Sequence, residues 1–387
     1  MDQGTIAANL RRLRKVLNLT QDEVAERAGL SRAGYRNIES RKSAPRASTL
    51  EALAEALGVR LQELVTPVQP LQRVRFRSFK RLRTREGILS DVARWLADFN
   101  ELEEILGDRQ DYTLAGLERS PARLKRSRKT SPEDLAGEVR RRFGLGPREP
   151  VRDICGLLEA NGIKVLPLRV ASDAFFGLSV APEDRGPAVV VNTWERISVE
   201  RWIFSAVHEL GHLVLHRSAY DIEREEEAKA EEKEANLFAG YFLMPQAVFC
   251  DEWDDTLGLA FLDRILKVKR IFQVSYKTVL YRLAETADLE TNVWQRFQSE
   301  YRARHGRTLM KEDEPHALAA DAFQASFPEA SKAGEPENLS RADFMVDRLS
   351  RLARRGVDSG AISLGRAAEI LGLSLPEVRS LAASWVG

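Results

Sequence analysis

Apolar positions along the chain fall into two periods, and the change between them divides it. Through residues 5–64 they recur three and four apart, as on short helices. Ile6, Leu10, Leu13 and Leu17 form one stripe; Val24 and Ala25, Tyr35 and Ile38, and the run from Thr49 to Leu57 mark three more helices. Thr20 with Glu23 three residues on is a capping box, Ser31 caps the next segment, and Gly29 and Gly58 are stops. The whole of 5–64 reads as five short helices, these four among them, and the tight turn at Gly29 gives helix-turn-helix spacing. An amphipathic helix follows over 87–106 (Ile88, Val92, Trp95, Leu96, Phe99), and two more cover 131–143 and 151–161. The pattern then shortens into three strand-like runs, 163–170, 174–180 and 187–192, each apolar or β-branched and bounded by turn residues. Helical periodicity returns at 203–216, 231–245, 246–285 and 289–306, and 307–340 reads as loop. The last stretch, 362–385, is again helix–turn–helix-like and is expected to dock or dimerise.

The pattern predicts a mainly α protein with a small β-sheet, of the α+β class. Its expected parts are a five-helix domain at 1–66, an arm, amphipathic helix and linker at 67–132, an α+β domain at 133–285, and a helical region at 286–387. A length of 387 residues fits two or three domains.

The chemistry concentrates in the apolar helix at 203–216, which contains His208, Glu209 and His212 in HExxH spacing. Residues four apart share a helix face, so both imidazoles can reach one metal ion, and Glu209 can take a proton from water beside it. A third protein ligand is needed. The HExxHxxGxxH continuation is closed, because Leu215 and Ser218 stand at its Gly and third His positions. His216 drifts about 40° around a straight helix from His212 and is expected to be structural. In the helix that ends at Pro245, Glu232 and Asn236 share a face with Ala239 and Leu243. Glu232 is therefore the expected ligand and Asn236 a residue that orients one; Glu234 and Glu231 are the alternatives. A catalytic site also needs a group to stabilise the oxyanion, and Tyr220, Tyr241 and His305 are candidates.

Net charge is only +1, but residues 1–130 hold 26 basic against 17 acidic side chains, which suggests an N-terminal part that faces nucleic acid. Residues 71–85 hold seven basic residues and no acid, alternating with Val74 and Phe76. They read either as an arm tracking phosphates or as an exposed strand or linker. Cys155 and Cys250 form no disulfide framework or CxxC motif and read as small buried hydrophobes. The N-terminus has no secretory h-region and no apolar run approaches the roughly 20 residues of a membrane span, so a soluble, cytoplasmic protein with no membrane partner is expected.

Two resemblances add to this reading. The stretch HELGHLVLH followed by EKEANLFAGYFLMP, with the lead-in PAVVVN, resembles the ImmA/IrrE family of zinc metallopeptidases over roughly 135–285. The resemblance implies that His208, His212 and Glu232 bind Zn2+ and that Glu209 is the general base. It also implies a zincin-like fold, in which a small sheet precedes this helix and its edge strand could hold an extended peptide. Residues 5–65 resemble the lambda-repressor-like (XRE) DNA-binding family through the Thr-Gln helix start, A-x-x-A-G-L-S, the Ile-Glu before a basic turn, the Pro, and the final A-x-A-L-G-V. There the second helix of the pair lies in the major groove of double-stranded DNA. Arg32, Ala33 and Asn37 match its base-facing positions, and Ser31 matches its N-cap. Gln21 matches a phosphate contact, with Arg36, Arg41 and Lys42 adding further ones.

Together these imply a DNA-binding zinc metalloendopeptidase that regulates transcription, stress responses or mobile elements, cleaving a repressor or a related regulatory protein. The alternative is a transcriptional regulator whose zinc domain senses or binds a partner without hydrolysis. A homodimer on an operator is expected, since one such module makes few contacts.

Overall fold

The computed structural model describes residues 2–17, 19–67, 71–78, 85–117, 131–216, 220, 229–286, 292–319, 322 and 335–385. The basic residues 79–84, the linker stretch 118–130, the acidic run 221–228, Ser218, and residues 320–321 and 323–334 of the loop expected at 307–340 lie outside them. As the pattern predicted, the protein is mainly helical with one small mixed sheet. It divides into two units: residues 1–72 with 79–101, and residues 73–78 with 102–387.

In the first unit the predicted five helices are α1 (Gln3–Val16), α2 (Gln21–Arg27), α3 (Arg32–Glu39), α4 (Ala47–Leu57) and α5 (Leu61–Val65). Their starts are fixed chemically. Asp2 accepts the Gly4 and Thr5 amides, Thr20 and Glu23 form the capping box, and Ser31 accepts the Gly34 amide. Each such cap is worth about 1 kcal/mol. Gly29 takes φ +65°, which lets the chain turn sharply between α2 and α3. Ile6, Leu10, Leu13, Val24, Tyr35, Leu50, Leu53 and Leu64 close one core. Asn9 ties α1 to the end of α5 by donating to the carbonyls of Leu64 and Thr66. Helix α6 (Arg85–Leu106) begins in this unit, where Arg94 pairs with Glu63 at 2.5 Å.

The second unit is built on a four-stranded sheet in the order β1-β3-β4-β2: β1 (Val74–Ser78), β2 (Lys164–Leu168), β3 (Phe175–Val180) and β4 (Ala188–Asn192). Three of these are the three predicted strand runs; β1 comes from the basic stretch read as a phosphate-tracking arm or as an exposed strand or linker, and its Val74 and Arg75 are buried. Strand β2 runs parallel to β4, while β3 runs antiparallel to both β4 and β1. The run β4, Ala-Val-Val-Val-Asn, is buried on both faces, and its Asn192 amide donates to Val170, Ser172 and Phe175 carbonyls to fix the loop before β3.

Between β1 and β2 in sequence lie α7 (Pro132–Arg142) and α8 (Ile154–Ala160). After the sheet come α9 (Val199–Leu215), packed on β3 and β4, and α10 (Lys229–Leu243), packed on α9 and α7. Gly211 lets those two helices meet: a Cβ there would sit 3.0 Å from the Phe238 ring and 3.4 Å from the backbone of Ala235. Arg140 of α7, buried, donates to the Phe242, Gly146 and Glu149 carbonyls, satisfying an acceptor in the last turn of α10. Helices α11 (Gln246–Asp254), α12 (Phe261–Phe272), α13 (Tyr276–Thr286) and α14 (Val293–His305) enclose the same core through Ile265, Phe272, Tyr276 and Phe297. Helices α12 and α13, from the helical stretch 246–285, thus pack into that core. The chain ends in α15 (Arg348–Asp358), α16 (Leu364–Leu371) and α17 (Leu375–Trp385), where Arg348 joins Lys164 on Glu103 in a buried ionic cluster. Cys155 is buried and Cys250 half-buried, both as free thiols.

Candidate metal centre

Helix α9 is apolar almost all round, and fourteen of its residues are buried, among them His208, Glu209 and His212. Polar groups at such depth require partners. The structure brings His208 and His212 together with Glu232, from the first turn of α10. Their donor atoms are separated by 2.9 Å (His208 Nε2 to His212 Nε2), 3.0 Å (His212 Nε2 to Glu232 Oε1) and 3.2 Å (His208 Nε2 to Glu232 Oε2). Ligands about 2.0–2.1 Å from a tetrahedral zinc ion stand about 3.3 Å apart, so the spacing suits that ion with little adjustment.

The outer nitrogens make the fit chemical as well as geometric. His208 Nδ1–H donates to Asn236 Oδ1 at 2.9 Å. Glu234 can only accept, so His216 donates Nε2–H to it at 3.0 Å, which leaves His216 Nδ1 to accept from His212 Nδ1–H at 2.9 Å. Both α9 imidazoles therefore turn an Nε2 lone pair toward Glu232. Burial drives the His212 pKa well below its ordinary value, so the ring is neutral, and it does the same less strongly at His216. Burial alone would raise the Glu232 pKa, but Glu232 Oε1 also meets the guanidinium of Arg75 at 3.1 Å, a positive charge that favours its carboxylate form. Three electron-pair donors at this separation repel one another unless a cation is shared between them, and within the described residues they are the set able to hold a metal.

Glu209 lies on the sheet side of α9. Ser179 Oγ of β3 donates to its Oε2 at 2.9 Å, and Tyr220 Oη donates to Ser179 at 2.7 Å. Burial pushes the Tyr220 phenol far above its ordinary pKa, so it remains a donor. Gly177, also on β3, makes room: a Cβ there would lie 3.2 Å from Glu209 Oε1 and 2.7 Å from the Val190 carbonyl oxygen. Of the other oxyanion candidates, Tyr241 stacks under the Arg282 guanidinium and His305 lies against Tyr301.

Sequence reasoning missed three connections. His216, expected to be structural, links His212 to Glu234. The Ser179–Tyr220 pair joins residues 41 apart in sequence, with no local signal. Arg75, read as part of a phosphate-tracking arm or of an exposed strand or linker, is instead buried on β1 and pairs with Glu231 at 2.5 Å and Glu232 at 3.1 Å. Its alternation with Val74 and Phe76 was the one available hint of a strand.

On the first unit, Arg32, Ala33 and Arg36 are exposed on α3, Asn37 is half-buried, and Arg41 and Lys42 are exposed in the turn beyond. Ser31 caps α3. Arg32 meets Asp22 at 2.8 Å, and Gln21 bonds to the buried Glu39 rather than projecting from the start of α2. No helix among the described residues is long and apolar enough to cross a membrane.

Comparison with known proteins agrees with this division. The sequence model of the IrrE N-terminal-like domain, an M78 peptidase family, matches residues 158–284, and that of a helix-turn-helix family matches residues 10–64. An uncharacterized HTH-type transcriptional regulator, y4dJ, of Sinorhizobium fredii (strain NBRC 101917 / NGR234) is 44% identical over 62 residues, which are 16% of this chain and 80% of the relative. The immunity repressor protein of Bacillus phage phi105 is 41% identical over 61 residues, 16% of this chain and 42% of the relative, so less than half of that repressor is spanned.

Proposed function

Since the chain belongs to the XRE-type helix-turn-helix transcriptional regulators and carries an IrrE/ImmA-like domain, we propose that it is a DNA-binding zinc metalloendopeptidase that cleaves a regulatory protein such as a repressor. The observation that carries the reading is the convergence of His208, His212 and Glu232 beside a buried Glu209. His208, His212 and Glu232 would hold the zinc ion, each histidine in the tautomer that Asn236 or His216 imposes. When bound, zinc supplies Lewis acidity, polarising a peptide carbonyl and lowering the pKa of a water. Glu209 would take a proton from the attacking water on its carboxylate and pass it to the leaving amine. Ser179, itself held by Tyr220, keeps the carboxylate in position, and burial by α9, β3 and β4 limits competing water.

In the first unit, α3 would enter the major groove, with Arg32, Ala33 and Asn37 toward base edges and Ser31, Arg36, Arg41 and Lys42 near phosphates. Gln21 would contribute there after releasing Glu39. A homodimer on an operator would supply the second half-site.

The other reading, a regulator whose metal domain senses without hydrolysis, gives Glu209 no task. Metal analysis of purified protein and of a Glu209→Gln variant separates the two. Under the proposed reading both hold one zinc ion and only the wild type cleaves a co-expressed repressor. Equal behaviour of the two proteins in cells and in proteolysis assays selects the sensor, and zinc in neither removes the metal site.

A further inference from the structure

A protease of this design needs a strand edge beside its metal centre, because an extended substrate satisfies its backbone by pairing along one. Helix α9 packs on β3 and β4, the two inner strands of the sheet. The outer edge of β3 is not open, because β1 pairs antiparallel along it from Val74↔Val180 to Arg77↔Gly177. In that register Arg75 stands opposite Ser179, the residue that bonds Glu209, and directly opposed residues share a face. The Arg75 side chain, 7% exposed, accordingly reaches Glu231 and Glu232.

We propose that β1 is an internal occupant of the substrate groove: the peptide that is cut lies along β3 in place of residues 74–78, with a basic side chain where Arg75 now meets Glu231. This rests on the peptidase reading. Three observations carry it. The strand lies on the one edge that adjoins the residue positioning Glu209. Its arginine is matched by two carboxylates of α10, one of them a candidate metal ligand, so the groove has acidic complementarity for a basic peptide. Residues 73–78 group with the second unit while the chain on both sides, 1–72 and 79–101, groups with the first. A five-residue edge strand is also the element of a sheet that opens at lowest cost, well below global unfolding.

Hydrogen exchange on the full-length, zinc-loaded protein tests this, using a peptide of sequence Leu-Gln-Arg-Val-Arg-Phe ending in a hydroxamate. On binding, the amides of 74–78 should exchange at least about tenfold faster while those of 177–180 stay protected, because one strand has replaced another. Arg75→Glu should show fast exchange at 74–78 without peptide and bind it with a Kd lower by about tenfold, whereas Arg75→Lys stays near wild type. Peptide binding that leaves 74–78 as protected as before shows β1 to be a permanent fourth strand and overturns the proposal, as does a zinc-loaded protein that binds the peptide in neither form. If Arg75→Glu does not fold, the wild-type exchange result decides alone. Metal analysis on the same samples separates these failures from loss of the peptidase reading, which zinc-free protein would signal.

Discussion

His216 Nδ1 lies 2.9 Å from His212 Nδ1, and Glu234 closes the line by accepting from the far side of the His216 ring. This chain decides which nitrogen of His212 carries the proton, and so which one is available to a metal. Partners of that kind are worth about 10–100-fold in metal affinity. His216→Ala should weaken zinc binding by about that factor, with Glu234→Gln acting in the same direction and less, and Glu232→Ala should abolish it. Competition titration against a zinc chelator measures this; an unchanged Kd for His216→Ala would show the contact to be incidental.

Zinc removal should also lower stability, since ligation adds to the folded state what the unfolded chain lacks. A chelator is expected to lower the Tm of the wild type and to leave that of Glu232→Ala where it began. Equal shifts for both proteins would place the metal elsewhere.

Stability should depend on pH through Glu159 of α8. Burial, helped by Asp347, raises its pKa to about 7. The folded protein then binds a proton that the unfolded chain, with an ordinary carboxyl, releases near pH 4.5. Between those values the native state holds more protons, so stability falls as pH rises toward 7 and the loss is complete above it. The shift corresponds to about 3 kcal/mol, and Glu159→Gln should recover much of it at pH 8 while changing little at pH 4. Urea denaturation of both proteins at the two pH values gives the comparison, and a gain that is the same at both would reject burial of a charge as its origin.

Where the sequence was legible, the reasons are local. Caps at Thr20, Ser31 and Ser131, stops at Gly29 and Gly58, and the Val-Val-Val run of β4 announce themselves within a few residues. His208 and His212 follow from helical geometry, and Glu232 with Asn236 from a shared face. What escaped depends on neighbours distant in sequence or on departure from ideal geometry. The expected 40° displacement of His216 assumes a continuing helix, yet His216 is the C-cap of α9, at φ −123° and ψ 31°, outside the regular helix. The basic composition of 71–85 points to phosphates; that β1 pairs with β3 is settled by a partner about a hundred residues later, which no short window contains. Arg140 likewise reads as one more charge at a helix end, although its task is to bond buried carbonyls.

Gly177 tests the packing of the general base. Its missing Cβ would lie 2.7 Å from the Val190 oxygen, a backbone atom that cannot step aside. Gly177→Ala should cost about 1–3 kcal/mol of stability by overpacking. Because the displaced strand carries Ser179, cleavage should fall further than zinc occupancy does. Full activity in a folded Gly177→Ala protein would mean that β3 does not hold Glu209 in register.

The DNA reading turns on Arg32, whose guanidinium meets Asp22 at 2.8 Å with both side chains largely exposed. An exposed pair of this kind is worth about 0–1 kcal/mol, whereas a bidentate contact to guanine discriminates by about 1–3 kcal/mol, so DNA should win the arginine. Arg32→Ala is then expected to relax sequence preference at one base pair by that amount. Asp22→Ala should tighten binding modestly by removing both the competitor and a negative charge near the backbone. Lys42→Ala should instead weaken all sequences alike and reduce the slope of log affinity against log salt by about one. Fluorescence anisotropy against a randomised operator library at several salt concentrations separates these patterns. If Arg32→Ala leaves the preference intact, α3 does not place this side chain in the groove, and the base contacts must come from another surface of the first unit.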